Sequence, residues 1–125
     1  MSAVRSVFIV EDSLPVQSAL KELIESVGGW KVVAIAGGET QATDWLHKHR
    51  REWDVAVLDL LLQEGSGFGL IQRCRAEHPQ GRIVVFSEYA TPALKDKCIA
   101  IGASAVFLKS ELPQFVAYLE GVGDA

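Results

Sequence analysis

Asp54-Val55-Ala56-Val57-Leu58-Asp59 is the stretch on which the fold turns. Its four apolar residues are too few for a helix and too uniformly apolar for a strand with one wet face. They read as a strand buried on both sides, which requires helices over both faces of a parallel sheet. Three further runs have the same character: Val7-Phe8-Ile9-Val10, Ile83-Val84-Val85-Phe86 and Ala105-Val106-Phe107-Leu108. All four read as buried strands. Polar residues follow each of them: Glu11 with Asp12, then Asp59, Ser87 and Lys109. The carboxyl ends of parallel strands share one edge of the sheet, so these side chains are expected to converge there.

The segments between the runs carry helical spacing. Asp12-Ser13 offers a cap for a first helix in which Leu14, Ala19, Leu20, Leu23, Ile24 and Val27 recur at helical spacing, stopped by Gly28-Gly29. Trp30 to Ala36 reads as the second strand. Glu39 to Arg51 reads as the second helix, with Ala42, Trp45 and Leu46 inward. After the third strand, Gln63-Glu64-Gly65-Ser66-Gly67 is a turn leading to a helix with Leu70, Ile71 and Cys74 on one side, closed near His78-Pro79. Arg82 to Ser87 is the fourth strand, and Thr91-Pro92 starts a helix that Gly102 ends. The fifth strand spans Ser104 to Leu108. Ser110 and Pro113 open a short last helix with Phe115, Val116 and Leu119, ahead of Gly121 to Ala125. Strand and helix thus alternate five times, the pattern of an α/β doubly wound sheet with helices on both faces, and 1–125 is expected to form one domain. In such sheets ligands bind beyond the carboxyl ends of the strands.

Hydrophobic residues at 49% and charged residues at 22% are typical of a globular domain, and no apolar run is long enough to cross a bilayer. Met1-Ser2-Ala3-Val4-Arg5 runs straight into the first strand without a leader, which places the chain in the cytoplasm by expectation. A net charge of −4 argues against direct binding to nucleic acid. The one basic cluster, His47-Lys48-His49-Arg50-Arg51, ends a helix, where cations complement the dipole. Cys74 and Cys98 lack metal or redox spacing and read as packed thiols, and His78 has no metal-ligand partner in spacing.

Glu11, Asp12 and Asp59 would crowd three carboxylates together, a repulsion that a cation relieves. Magnesium suits them, because it takes oxygen ligands from a few carboxylates and leaves positions for phosphate oxygens. An acidic pair after a strand can also be a plain helix cap. Asp59 has fewer local explanations, since it ends a buried run and is followed by Leu60-Leu61-Leu62. It is the candidate nucleophile, able to form an acyl phosphate. Lys109 and Ser87 would then share the charge of the transferring group, the main catalytic demand in phosphoryl transfer.

The ordered set Val7-Phe8-Ile9-Val10-Glu11-Asp12, Asp54 to Asp59 with Gly67, Val84-Val85-Phe86-Ser87, and Gly102-Ala103 before Phe107-Leu108-Lys109-Ser110 resembles the receiver domain of two-component response regulators. The resemblance covers essentially the whole chain. It implies a flavodoxin-like five-stranded parallel sheet in the order 2-1-3-4-5. It also implies phosphorylation of Asp59 by a phosphohistidine on a sensor histidine kinase or a histidine phosphotransfer protein. Magnesium would be held by Glu11, Asp12, Asp59 and the backbone carbonyl of Leu61, with Ser87 and Lys109 on the phosphoryl oxygens. The implied output is a switched protein-binding face on the fourth helix, fifth strand and fifth helix, offering Lys95, Lys97, Glu111 and Gln114 to a downstream protein, and often a homodimer on activation. No DNA-binding helix-turn-helix follows, so output is expected through another protein. Such a domain is not an enzyme with turnover beyond its own phosphorylation and slow autodephosphorylation.

Several positions depart from the usual receiver pattern. Lys109-Ser110 stands where Lys-Pro with a cis bond is usual, and the bond is expected to be cis here too, despite a cost of about 3 to 4 kcal/mol without proline. Val106 replaces the usual aromatic switch, so Tyr89 becomes the alternative switch residue. Glu88, Leu61 and Tyr89 are bulky near the expected water path, which predicts a long-lived phosphorylated state. Three other readings compete. A degenerate receiver would bind partners without phosphorylation. A phosphatase with an Asp nucleophile would want a second Asp where Leu61 stands. A flavin-binding domain would want a phosphate loop where Glu11-Asp12 stands, and Gly65-Ser66-Gly67-Phe68-Gly69 lacks dinucleotide-loop spacing.

Overall fold

The computed structural model describes residues 4–124. Met1-Ser2-Ala3, expected to lead directly into the first strand, and Ala125 lie outside the described residues. The elements are β1 (Arg5–Val10), α1 (Leu14–Ser26), β2 (Trp30–Ala36), α2 (Glu39–Lys48), β3 (Val55–Leu58), α3 (Gly67–Glu77), β4 (Arg82–Ser87), α4 (Pro92–Ala100), β5 (Ala105–Leu108) and α5 (Leu112–Asp124). All strand pairs are parallel, in the order β2-β1-β3-β4-β5. This is the flavodoxin-like doubly wound sheet.

The uniform apolarity of the central strands has a direct cause. Alternate residues point to opposite faces, and both faces are covered. Phe8, Val10, Ala56, Leu58, Ile83 and Val85 pack with Ala42, Leu46, Leu70, Ile71, Cys74 and Cys98 of α2, α3 and α4. Val7, Ile9, Val55, Val57, Val84 and Phe86 pack with Leu20, Ile24, Phe115 and Leu119 of α1 and α5. Both cysteines are buried and free, and burial pushes the Cys74 thiol up to about 12, so it stays neutral as a small packed side chain.

Several expectations need correction. Every residue of β5 is half-buried rather than buried, because β5 is an edge strand with a neighbour on one side only. Leu14 and Ala19 of α1 face outward; Ala19, with Val16, Leu20, Leu23 and Leu112, lines an apolar groove between α1 and the start of α5. α5 is not short: it runs through Gly121 to Asp124, carried by Phe115, Leu119 and Val122 on its buried face. Finally, no peptide bond among the described residues is cis, so Lys109-Ser110 is trans. Without proline the trans preference prevails, and Lys109 still reaches its partners.

α2 ends at Lys48 rather than Arg51, with His49 as its C-cap stacked on Trp45. Lys48 pairs with Asp44 at 3.1 Å and His49 with Glu52 at 3.3 Å, so much of the basic cluster is spent locally at the helix end. At the opposite edge of the sheet from the polar strand ends, Arg75 bonds the carbonyls of Pro79, Gly81 and Gly102 and the Ser104 hydroxyl. It ties α3 to the turns before β4 and β5.

Candidate functional site

The chain leaves β1, β3, β4 and β5 at the same edge. There Glu11, Asp12, Asp59, Ser87 and Lys109 line one cavity of about 210 Å³, joined by Leu61 and Glu88. Tyr89 and Val106 are not in its walls. Tyr89 is 66% exposed, and Val106 is half-buried against the core on the α2–α4 side of the sheet. On the expected partner face Lys97 and Gln114 are exposed, Lys97 lying over the Phe68 ring at 4.5 Å. Lys95 and Glu111 are half-buried, and Glu111 accepts from the Leu108 N–H at 2.8 Å.

Each side chain is placed by its backbone. Glu11 continues β1, its N–H bonded to Ala36, and the Gln17 amide from α1 holds its carbonyl at 2.6 Å. The cap of α1 is Ser13, whose hydroxyl accepts from Val16 N–H at 3.5 Å. Capping therefore does not occupy Asp12. Its Oδ2 accepts instead from the Gln63 N–H at 2.8 Å, across the cavity mouth. Asp59 extends β3, its N–H on the Val10 carbonyl, and the Lys109 N–H bonds the Ser87 carbonyl. Ser87 is fully buried, its Oγ accepting from Tyr89 N–H at 3.4 Å.

Lys109 is the hinge of the electrostatics. Its Nζ lies 2.7 Å from Glu11 Oε1 and 3.0 Å from Asp59 Oδ2. Three carboxylates face this single ammonium, and Glu11 and Asp59 are only 2% and 6% exposed. Burial raises the Glu11 carboxyl above its ordinary 4.5, and the Asp59 charge adds to this, against the Lys109 and Ser13 hydrogen bonds. Burial alone would lower Lys109, but its hydrogen bonds to Glu11 and Asp59 outweigh that and raise it above 10.5.

A raised carboxyl contributes stability that is complete below 4.5 and is lost as pH climbs through the raised value. Glu11→Gln is therefore expected to gain stability relative to the native chain, in metal-free buffer, as pH rises through that window. Urea midpoints of the two proteins across pH check this, and a constant difference would contradict it.

One oxygen from each of Glu11, Asp12 and Asp59 lies within 4.8 Å of the others. Three hard oxygen donors gathered this closely, with an excess of negative charge, fit a divalent cation such as magnesium. Sequence reasoning overlooked the residues that hold the loop after Asp59. Glu39 and Glu64 bond the backbone of each other's segments, and no local pattern links positions so far apart.

A family model described as the response regulator receiver domain matches residues 7–119. The photosynthetic apparatus regulatory protein RegA of Cereibacter sphaeroides is 30% identical over 104 residues, covering 83% of this chain and 54% of that protein. The chain thus spans about half the length of the curated relatives it matches. Among solved structures, a LuxR-family two-component response regulator from Aurantimonas sp. SI85-9A1 superposes with a TM-score of 0.87 at 25% identity, over 98% of this chain and 86% of that one. A response regulator from Burkholderia pseudomallei, solved with a phosphorylated aspartic acid, calcium ion and citrate, superposes with a TM-score of 0.81 at 21% identity, over 96% and 69%.

Proposed function

This chain belongs to the response regulator receiver domain family, and on that premise we propose that Asp59 accepts a phosphoryl group from a phosphohistidine. The donor is a sensor histidine kinase or a histidine phosphotransfer protein. The observation that carries the reading is the Asp59 carboxylate, 6% exposed, at the wall of an open cavity with Lys109 Nζ 3.0 Å from its Oδ2. An Asp59 oxygen attacks phosphorus, the bond from phosphorus to the imidazole nitrogen breaks, and that nitrogen keeps the electron pair. Lys109 neutralises charge on the phosphoryl oxygens. The Ser87 oxygen accepts from Tyr89 N–H, which leaves its own hydrogen to donate to one of them. Glu11, Asp12, Asp59 and the Leu61 carbonyl would hold magnesium, which when bound supplies further charge neutralisation and orients the phosphoryl group. The Burkholderia relative, with phosphoaspartate and calcium, supports an acceptor of this kind.

The domain, 1–125, then acts as a signalling module. Val106 has no ring to swing, so Tyr89, tied by its N–H to the Ser87 hydroxyl, is the residue placed to report movement of that hydroxyl. The α4–β5–α5 face, with Lys97, Ile99 and Gln114 exposed, is the surface for a downstream protein or a second copy.

Incubation with magnesium and acetyl phosphate, followed by intact-mass measurement, tests the reading. One phosphoryl adduct is expected, and none after chelation of magnesium. No adduct would leave a receiver that binds partners without phosphorylation. Leu61 and Glu88 at the cavity wall hinder an attacking water, so the adduct is expected to persist for minutes. Loss within seconds, without a phosphatase, would overturn that expectation.

A further inference from the structure

The loop 60–66 between β3 and α3 is anchored at both ends. At the front, Leu61 N–H bonds Asp59 Oδ1 at 3.2 Å and Gln63 N–H bonds Asp12 Oδ2 at 2.8 Å, so two site carboxylates hold it. At the back it is clasped to the start of α2. Glu64 Oε1 accepts from Thr40 N–H at 2.9 Å and Oε2 from the Thr40 hydroxyl at 3.1 Å, while the Glu64 carbonyl accepts from Glu39 N–H at 3.0 Å. Glu39 Oε1 returns the contact by accepting from Ser66 N–H at 2.9 Å. The N-cap of α2 is Gly38, which has no side chain to bond the first turn, and Glu64 supplies that function from across the loop. Glycines make the room: a Cβ at Gly38 would lie 2.8 Å from Glu64 Oε1, and one at Gly65, where φ is +87°, would run into Glu39.

Capping alone would make Glu64 a structural residue. Glu64 is also coupled to the carboxylates through the loop itself. Gln63, bonded to Asp12, is the residue next to Glu64 in the chain. In addition, Leu61 and Ser66 form an antiparallel bridge, which joins the front of the loop to its back. A shift at the clasp therefore moves the segment that faces the carboxylates. We propose that Glu64 is a positioning residue for the site: the Glu39–Glu64 clasp on the N-terminus of α2 sets how loop 61–63 meets a cation held by Asp12 and Asp59. The inference rests on the phosphoryl-acceptor reading and deepens it.

Magnesium binding to the native chain, Glu64→Ala and Glu64→Gln, measured by titration calorimetry beside thermal melts, is the test. The Leu61 and Gln63 N–H groups are the outer partners of Asp59 and Asp12, and loss of such partners typically changes affinity by 10-fold or more, so Glu64→Ala, which frees the loop bearing them, is expected to weaken magnesium binding about 10-fold. Glu64→Gln keeps an acceptor for Thr40 N–H and is expected to restore affinity to within about twofold. By reciprocity, magnesium should slow amide hydrogen exchange at Thr40 and Ser66 in the native chain and not in Glu64→Ala. A folded Glu64→Ala protein with a lowered melting temperature but unchanged magnesium affinity would reduce Glu64 to a helix cap and overturn the proposal. If Glu64→Ala does not fold, Glu39→Ala opens the other half of the clasp and is judged by the same affinity change. A native chain that binds no magnesium and takes no phosphoryl group would sink the reading of the site and the positioning role together. A native chain that does both, beside a Glu64→Ala protein of equal affinity, would sink the positioning role alone.

Discussion

Asp59→Ala is expected to take no phosphoryl group from acetyl phosphate and magnesium, under conditions in which the native chain takes one. The expectation rests on how the three carboxylates differ. Glu11 has both oxygens engaged, Oε1 by Lys109 at 2.7 Å and Oε2 by Ser13 N–H at 2.9 Å. Asp12 turns Oδ2 to Gln63 N–H. Asp59 combines the two features an acceptor needs: the Lys109 ammonium at 3.0 Å on one oxygen, which Asp12 lacks, and on the other only a 3.2 Å hydrogen bond from Leu61, longer than either held by Glu11. Its position at the end of β3, between β1 and β4, also centres it on the cavity. Removing the side chain leaves Lys109 its bond to Glu11, so the variant should fold and remain a fair comparison. Intact masses recorded in parallel decide the matter. An adduct that survives Asp59→Ala would move the acceptor to Asp12 or Glu11.

Gly67→Ala is expected to cost about 3 kcal/mol of stability, the upper end for overpacking a tight site. Helix propensity pulls the other way, since Gly67 opens α3 and alanine is the better helix former by about 1 kcal/mol. The steric effect dominates because the new Cβ would meet backbone, running into the Asp59 carbonyl oxygen and lying 2.8 Å from Leu60 Cα. Neither atom can rotate away. Relief requires displacing the end of β3 that bears Asp59, so phosphorylation should slow together with the loss of stability. Gly121→Ala is the matched control: it lies in α5 with nothing within 4 Å of a new Cβ, and the same change there is expected to stabilise slightly. For a domain of this size the Gly67 variant should melt roughly 10 °C lower. Equal melting temperatures for Gly67→Ala and the native chain would refute the close packing of α3 on the strand end.

Hydropathy along the chain was sufficient to find the central strands, because a strand covered on both faces must be apolar at every position, as Val55 to Leu58 are. The punctuation of the helices was also legible where a cap acts within its own turn, as Thr91 does. The five polar residues at four strand ends could be named for the same reason: a carboxylate, hydroxyl or amine stands out after a run of four apolar residues. Burial of β5 could not be judged, since its run is as apolar as the others and only its place at the sheet edge leaves it half-exposed. Neither could the outward turn of Leu14 and Ala19, which fit the helical spacing but are exposed, Ala19 in the groove beside α5.

By itself, then, the sequence determined the order of elements, the parallel sheet and the identities of the groups at its carboxyl edge. Those properties are written in neighbouring residues, through periodicity and local capping. The tertiary structure alone decided that Ser13 rather than Asp12 caps α1, that Lys109 bonds Glu11 across 98 positions, and that Glu64 caps a helix 24 positions before it. Arg75, gathering carbonyls from two turns, belongs with them. Such partners are chosen by where the crossovers set each strand end and loop in space, and a polar group near the interior takes whichever partner the packed chain brings within hydrogen-bond reach.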